Sequence, residues 1–360
     1  MLALVESEQK LEILQEVGHV VSFLAKLKQM SAERYQLLEL RLLGRTTGVG
    51  KGKGERRPQH PPLNPHHLDI YAANGDDCFL RECYLTVSEF KSVLRATIPE
   101  LKRAREIRLH QPKPAGSNAG RPRKLTHGEA LFGTFNFLLN GEDLQKQGDQ
   151  MGLAKPTETI YHCLQAFVLA NHHELRFPSQ AEQLEMLAET PFPEFPWIVG
   201  PLDGSTFPTT RRAGDYSKHH EMWGRNGQFI MDNYDKIIYF RGTDDGARAD
   251  SHQINAGEVL KNKLAPGMKV AVDNGYCGVY GTQAVDKKWP PKLQSIFRAH
   301  RARIEHLFSR LKCRFKILRA PWHAPASLHM HALAVYSCAI LYNIAHRNGR
   351  FLLPQPKSVP

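Results

Sequence analysis

The sequence predicts a mixed α/β sheet flanked by helices and preceded by an all-helical region. Apolar residues recur at helical spacing through much of residues 1–176. From about residue 198 they form short runs of strand length, bounded by Gly, Asp and Asn. The second half then follows the order strand, hairpin, helix, strand and helix, which is typical of a mixed sheet covered by helices.

Residues 1–43 form an N-terminal segment with helical periodicity. Its apolar stripe is Leu11, Leu14, Val17, Val21, Leu24 and Leu27. Such a stripe suits core packing, or a helix that pairs with a partner or with a second copy of the chain. Residues 44–68 are rich in Gly, Pro and basic residues, which indicates a flexible basic linker.

Residues 69–176 read as a helical region, and about residues 126–171 within it predict a helix-turn-helix. Thr126 and Glu129 form a T-x-x-E capping box that opens the first of three helices. A short second helix follows, and the third starts near Pro156, a residue suited to a first helical turn.

This arrangement makes DNA contact a candidate role for the third helix, because the last helix of a helix-turn-helix enters the major groove. Lys155 and Thr157 would then face the groove. The basic stretch before the first helix, Arg121, Arg123 and Lys124, adds charge for phosphate binding. A plain three-helix support is the alternative interpretation.

Residues 198–349 carry the strand patterns, after a connector at 177–197 and before a tail at 350–360. WIVGPLDG reads as a short buried strand ending at Asp203, and KVAVDNG as a second strand ending at Asp273. Between them, GQFIMDNYDKIIYFRG predicts a β-hairpin. In open α/β sheets ligands bind beyond the carboxyl ends of strands, so we expect the two Asp residues to be neighbours.

The segment RARIEHLFSRLKCRFKIL predicts an amphipathic helix with one carboxylate at the border of its buried face. The apolar positions are Ile304, Leu307, Phe308, Leu311, Phe315 and Leu318. Glu305 follows Ile304 by about 100° around the helix, so it can be anchored by the core and still reach a cleft. The alternative is a surface carboxylate that pairs with Arg301 or Ser309 and steadies the helix.

Three carboxylates that meet predict a site for divalent cations. Two such charges about 4 Å apart repel by ~4 kcal/mol at an effective dielectric constant near 20, so the cluster is costly unless cations fill it. Oxygen ligands suit Mg²⁺ or Mn²⁺, and a pair of these ions can support phosphodiester cleavage. The cations around Glu305 would form a rim that holds the DNA backbone. They are Arg301, Arg303, Arg310 and Lys312.

The charge of the chain favours a polyanionic partner. Its formal net charge is +12 and its pI is near 9.4, which favours nucleic acid, with a membrane surface as the alternative. No apolar run reads as long enough to span a bilayer, and MLALVESEQK lacks the order of a signal peptide, so we expect neither secretion nor membrane insertion. The six Cys form no CxxC pair, which argues against a zinc site or disulfide framework.

Three short blocks resemble the signature blocks of a known family. They are LDGSTF (202–207), VDNGY (272–276) and RIEHLFSRLKCRF (303–315). They look like the blocks of the DDE superfamily endonucleases of the PIF/Harbinger transposase group, which includes Harbinger transposase-derived nucleases with a DDE Tnp4 domain. The resemblance covers about residues 125–345, and the third block is its most specific part.

The resemblance implies an RNase H-like domain that hydrolyses DNA phosphodiester bonds with two Mg²⁺ or Mn²⁺ ions. By matching positions, Asp203, Asp273 and Glu305 are the catalytic residues and metal ligands, with Asp203 bridging the ions. Asp250 is a candidate to support the ligands or to serve as a loop or cap residue. Ala249 stands where the family has a His, so a catalytically inactive, host-adopted DNA-binding protein is the alternative.

The resemblance also sets expectations about partners and location. It implies double-stranded DNA as the substrate, a nuclear location and a Myb-like accessory protein as a partner. Assembly of the chain as a homo-oligomer is compatible with it.

Overall fold

The computed structural model describes most of the chain beyond residue 74. The described residues are 75–109, 125–141, 143–151, 153, 156–188, 190–210, 215–217, 221–246, 250–255, 259–322 and 328–347. The predicted N-terminal segment, linker and tail, at 1–43, 44–68 and 350–360, lie outside them.

The described elements are ten α-helices and six strands, joined in part by three short 3₁₀ turns. The helices are α1 (Asp76–Cys83), α2 (Val87–Leu109), α3 (His127–Asn140), α4 (Leu144–Gln150), α5 (Pro156–Asn171), α6 (Gln180–Ala188), α7 (Asp250–Asn255), α8 (Val259–Lys263), α9 (Pro291–Arg314) and α10 (Leu328–Arg347). The strands are β1 (Ile198–Pro208), β2 (Tyr216–Ser217), β3 (Met222–Met231), β4 (Ile237–Asp245), β5 (Lys269–Ala271) and β6 (Thr282–Gln283).

Helix α3 begins at the capping box that the sequence predicts. The Thr126 N–H donates to the Glu129 carboxylate at 2.7 Å, and the Glu129 N–H donates to the Thr126 hydroxyl at 3.2 Å, which satisfies two donors at the helix start. The helix ends at Gly141, whose φ of +61° is left-handed. A Cβ there would lie 2.7 Å from the backbone of Lys316, so the close approach of the chain also requires glycine.

Helices α3, α4 and α5 occur in the predicted order, and α5 is largely packed inside the protein. It lies against α2, α10 and α3, and it buries Ile160, Cys163, Leu164 and Phe167. Its sequence contains no Arg or Lys. Recognition of DNA by these helices stays a prediction.

The sheet is mixed, as the sequence predicts, and is flanked by helices, which is consistent with an RNase H-like fold. Its strand order is β2-β3-β1-β5-β6, and β4 also pairs with β3. Strands β1, β3 and β4 are antiparallel neighbours, whereas β5 runs parallel to both β1 and β6. The predicted hairpin is β3–β4; β3 begins before the segment GQFIMDNYDKIIYFRG (227–242) and β4 ends after it.

Strand β1 corrects one prediction about the site. It does not end at Asp203 but continues to Pro208, because residues 202–208 pair with β3 after residues 198–201 have paired with β5. Asp203 therefore lies near the middle of a long strand, where β1 changes its pairing from a parallel to an antiparallel neighbour.

The two faces of the sheet pack against different helices. Phe207 and Phe229 share a cluster with Phe308 of α9 and with α10. On the other face, Leu202 and Ile230 share a cluster with α7 and α8. Successive side chains of a strand point to opposite faces, so Asp203, like Phe207, faces α9.

Helix α10 is the central helix of the larger core. Residues from Met330 to Ala345 are mostly buried, and they contact α5, β4 and α9. By length and composition alone α10 could cross a membrane, so the prediction that no run is long enough is wrong for this segment. Most of its apolar surface is covered within the protein, as in a core helix.

Candidate active site

Helix α9 is held along β1 by the turn of the β3–β4 hairpin. Asn233 of this turn is buried; its amide donates to the carbonyl of Ile198 at 2.8 Å, and its oxygen lies 2.8 Å from Nε2 of His300. Asp235 accepts from Arg303 at 2.5 Å and lies 3.5 Å from Arg310. The turn therefore joins the start of β1 to a stretch of α9 about three turns long, from His300 to Arg310.

Between His300 and Arg310, α9 also places Arg301 and Glu305 beside Asp203 of β1. The nitrogens of the Arg301 guanidinium lie 2.6 Å from Oε1 of Glu305 and 3.8 Å from Oδ2 of Asp203. The Asp203 side chain is 19% exposed and that of Glu305 is 53% exposed. One guanidinium thus contacts two carboxylates that are far apart in the chain, and the site is open to solvent on the side of Glu305.

This geometry bears on the two interpretations of Glu305. The Arg301–Glu305 pair expected for a surface carboxylate is present. That pair alone does not account for the arrangement, because Arg301 also contacts Asp203 on a different element. An Arg that precedes its Glu by four residues is also the weaker orientation for stabilising a helix. The contact with β1 favours a shared site.

Asp273 lies on the same face of the sheet as Asp203. Pro201 pairs with Ala271 in the parallel β1–β5 ladder, so the two Asp residues stand at equivalent positions two residues further on. Ala271 packs with Phe297 of α9, and the backbone of Asp273 is still extended. Asp273 is exposed and accepts the N–H of Gly275 at 2.9 Å, which starts a 3₁₀ turn.

The donor atoms on this face fit a divalent cation by their chemistry. Asp203, Asp273 and Glu305 offer the carboxylate oxygens that Mg²⁺ and Mn²⁺ prefer. Asp203 and Glu305 already contact one positively charged group, Arg301. Within the part of the chain that the structure describes, however, no group of three His, Cys, Asp or Glu side chains stands close enough to hold an ion. The third carboxylate, that of Asp273, lies on the same face of the sheet as Asp203, but the three carboxylates do not form a closed ligand cluster.

The other predicted DNA-binding cations of α9 make contacts within the protein. Arg303 and Arg310 contact Asp235, as described above. The ammonium of Lys312 donates to the carbonyl of Thr206 at 2.9 Å and lies 5.4 Å from the centre of the Phe207 ring. Burial lowers the pKa of Lys312, since desolvation disfavours its charged form. These three residues fix α9 on the sheet, and their contact with DNA stays a prediction.

The remaining predicted site residues are described only in part. Thr157 is exposed at the start of α5. Arg121, Arg123, Lys124 and Lys155 lie outside the described residues. Asp250 begins α7, and its side chain is not among those described.

Two further groups support the site; the sequence segments that contain them were noted, but their roles were not predicted. One is the hairpin turn at Asn233 and Asp235, which holds α9. The other is Tyr276, the last residue of the turn that Asp273 starts, whose buried hydroxyl donates to Gln228 of β3 at 2.6 Å. Tyr276 belongs to the block VDNGY, but its hydrogen-bond partner Gln228 depends on how the strands pair.

The fold and the site together define a class. A mixed sheet flanked by helices, with carboxylates on β1, after β5 and on a helix crossing β1, is consistent with RNase H-like nucleases. Residues 202–343 match the family model of the DDE superfamily endonucleases. The match covers less than half of the 360-residue chain, but it includes all three carboxylates. Comparison with curated proteins and with solved structures found no match.

The family match supports a nuclease-type or transposase-like hydrolase in general terms. It begins one residue before Asp203 and ends within α10, so it covers most of the sheet, α9 and most of α10. The helices α1–α6 lie outside it. The PIF/Harbinger subgroup rests on the resemblance of the three sequence blocks.

Proposed function

We propose that this chain is a metal-dependent DNA endonuclease of the transposase-like kind, which hydrolyses phosphodiester bonds by a two-metal mechanism. The single observation that carries the proposal is the contact of Arg301 with both Asp203 and Glu305. It brings the carboxylate of α9 to the carboxylate of β1, inside the segment that matches DDE superfamily endonucleases.

Asp203, Asp273 and Glu305 would hold the cations. Bound Mg²⁺ or Mn²⁺ supplies Lewis-acid chemistry, which activates water and stabilises the leaving oxygen in phosphodiester hydrolysis. Asp203 is mostly buried on β1, so its position is fixed by the strand, whereas Glu305 is exposed at the open side of the site. The carboxylates therefore combine one rigid ligand with one that a DNA backbone can approach from solvent.

Double-stranded DNA is the proposed substrate, because the chain has a net charge of +12 and its positive field attracts polyanions. Lys287, Lys288 and Lys292 are exposed just before and within the first turn of α9 and suit phosphate contact. The basic stretch at Arg121, Arg123 and Lys124 and the predicted helix-turn-helix would add to this contact. A nuclear location, a Myb-like accessory protein and a homo-oligomer belong to the same proposal.

Nicking of supercoiled plasmid DNA in Mg²⁺ tests the function. We expect the wild-type protein to nick DNA, and Glu305→Gln to lower the rate by a factor of about 100 or more, as for loss of a ligand that binds metal directly. Glu305 is exposed, so this variant should keep its fold, which circular dichroism checks. The matched control is Glu185→Gln, the same change at an exposed site on α6. Equal nicking by wild type and Glu305→Gln would refute the proposed site.

A catalytically silent DNA-binding protein is the second candidate. Two observations favour it: Ala249 replaces the His of the family pattern, and Arg301 already neutralises two of the proposed ligands. Such a protein would bind DNA with the usual fall in affinity as salt rises, but would show neither nicking nor carboxylate-dependent heat on titration with Mn²⁺.

A further inference from the structure

Arg301 holds an unusual position for a cation of a basic helix. Its side chain is 24% exposed, and its guanidinium nitrogens reach Glu305 of the same helix and Asp203 of β1. The three other cations of α9 that the sequence assigns to DNA make different contacts: Arg303 and Arg310 contact Asp235, and Lys312 donates to a backbone carbonyl. Arg301 is therefore placed between two of the carboxylates that the proposed function assigns to metal.

We propose that Arg301 is a positioning residue: it holds Asp203 and Glu305 together as an internal cation before metal binds, and a divalent ion displaces it. This inference rests on the proposed function and adds a competitor to the metal site. It assigns Arg301 a role toward the ligands in place of the predicted contact with DNA.

Electrostatics explains why such a cation is needed. Two carboxylates that face a common position repel each other, and the repulsion grows where the site is partly shielded from water. A guanidinium reduces the repulsion with one positive charge, and its planar fork offers separate N–H groups to separate oxygens. Asp203 and Glu305 can then stay close to each other without a bound metal ion.

The same contacts oppose metal binding. A divalent ion needs direct bonds to the carboxylate oxygens, at distances shorter than a hydrogen bond. The oxygens that face Arg301 cannot serve the ion and the guanidinium equally well, so Arg301 must turn away when metal enters. Breaking its contacts lowers the apparent affinity for metal. Removing Arg301 should therefore tighten metal binding, which is the opposite of the effect expected for a residue that only supports the fold.

Titration of the full chain with Mn²⁺ by calorimetry, without DNA, tests this inference. We expect Arg301→Gln to bind Mn²⁺ about tenfold more tightly than wild type, the gain from no longer breaking two ion-pair contacts of ordinary strength. The matched control is Arg298→Gln, the same change one turn earlier at an exposed Arg that donates to Gln294. It should leave the affinity unchanged, and Glu305→Gln should abolish binding.

Thermal unfolding gives a second readout. Without metal, Arg301→Gln should unfold at a lower temperature than wild type, because its two carboxylates lose their shared cation. The same excess of Mg²⁺ should then raise the unfolding temperature more in this variant than in wild type, because the stabilisation by a ligand that binds the folded state grows with the logarithm of its concentration divided by Kd.

The outcomes separate this inference from the proposed function. If Arg301→Gln binds Mn²⁺ no more tightly than wild type, while Glu305→Gln abolishes binding, the metal site stands and the role of Arg301 is refuted. If neither wild type nor Arg301→Gln binds Mn²⁺, there is no ion to displace, and both the metal-dependent function and this inference are refuted.

Discussion

The hydroxyl of Tyr276 shows how one residue can support the site from within the core. Both Tyr276 and Gln228 are fully buried, and the hydrogen bond between them is 2.6 Å long. Tyr276 ends the 3₁₀ turn that Asp273 starts, and Gln228 lies on β3 opposite Gly204 of β1. The bond therefore ties the segment after Asp273 to the strands beside Asp203.

We expect Tyr276→Phe to lower the free energy of unfolding by about 1 kcal/mol, the usual net value of one buried hydrogen bond. Loss of this bond also frees Asp273, so the affinity for Mn²⁺ should fall. Urea unfolding and calorimetry measure the two effects. The control is Tyr280→Phe, because Tyr280 is 63% exposed. The two variants behaving alike in both measurements would show that the Tyr276 hydroxyl does not support this segment.

At the scale of elements, the hairpin turn determines where α9 lies. Asp235 has a left-handed φ of 67° and receives two arginines from α9. Arg303 also donates to the carbonyl of Asn233 at 3.0 Å and lies over the ring of Phe192. Because Arg301 and Glu305 sit on the same helix, the contacts of the turn also set their distance from β1.

We expect Asp235→Asn to lower the free energy of unfolding by about 1–2 kcal/mol, since two partly buried cations lose their shared carboxylate. Asn tolerates the left-handed backbone, so the variant tests the charge and not the turn. Chemical denaturation measures the change. For the Glu100–Arg103 pair on α2, whose Arg103 side chain is 69% exposed, Glu100→Gln should cost less than about 0.5 kcal/mol. If Asp235→Asn lost no more free energy of unfolding than that control, the contacts of Asp235 with Arg303 and Arg310 would not be what holds α9 in place.

The predicted elements show which features local sequence can determine. The apolar face of the helix around Glu305 was predicted correctly, and all six of its residues are buried, although α9 ends at Arg314 and the last two lie just beyond it. The end of β1 was predicted wrongly. An Asp-Gly pair is a turn signal in isolation, but pairing with β3 keeps residues 202–208 extended.

In the site, too, local sequence predicts some features and misses those that depend on contacts between distant segments. The placement of Asp203 and Asp273 on adjacent strands was predictable, because Asp203 lies just beyond the part of β1 that pairs in parallel with β5, and Asp273 follows β5. The contact of Arg301 with Asp203 was not, because it depends on how α9 crosses β1. That crossing is set by Asn233 and Asp235, two polar residues of a turn that carries no helical or strand pattern.

At the scale of the whole molecule, the helical region and the sheet share one core. The cluster that contains Phe79 and Phe135 also contains Phe229, Phe308 and most of the apolar residues of α10. Aromatic contacts join the two regions, with ring centres 5.1 Å apart for Tyr84 and Phe315 and 6.1 Å apart for Phe137 and Trp322. Helices α1–α5 thus form part of the support of α9.

Two buried histidines make the stability of this core depend on pH. Burial, with Arg303 nearby and only partly offset by Asp235, lowers the pKa of His300 from 6.5 to about 4. Burial and Arg225 lower the pKa of His331 to about 4 as well. Between these values and 6.5 the unfolded chain binds protons that the folded protein does not, so stability is full above about pH 6.5 and falls as the pH drops toward 4.

We expect each histidine to remove about 2 kcal/mol of folding free energy on going from pH 7 to about pH 5. His331→Leu isolates the contribution of His331. Nδ1 of His331 has no hydrogen-bond partner among the described residues, and its ring contacts Trp322 and Phe207, so an apolar side chain suits this position. Urea unfolding at both pH values should show a smaller loss in His331→Leu than in wild type. The same change at the exposed His252 of α7 should leave the loss unaltered. An equal loss in wild type and His331→Leu would mean that His331 is not held neutral by the core.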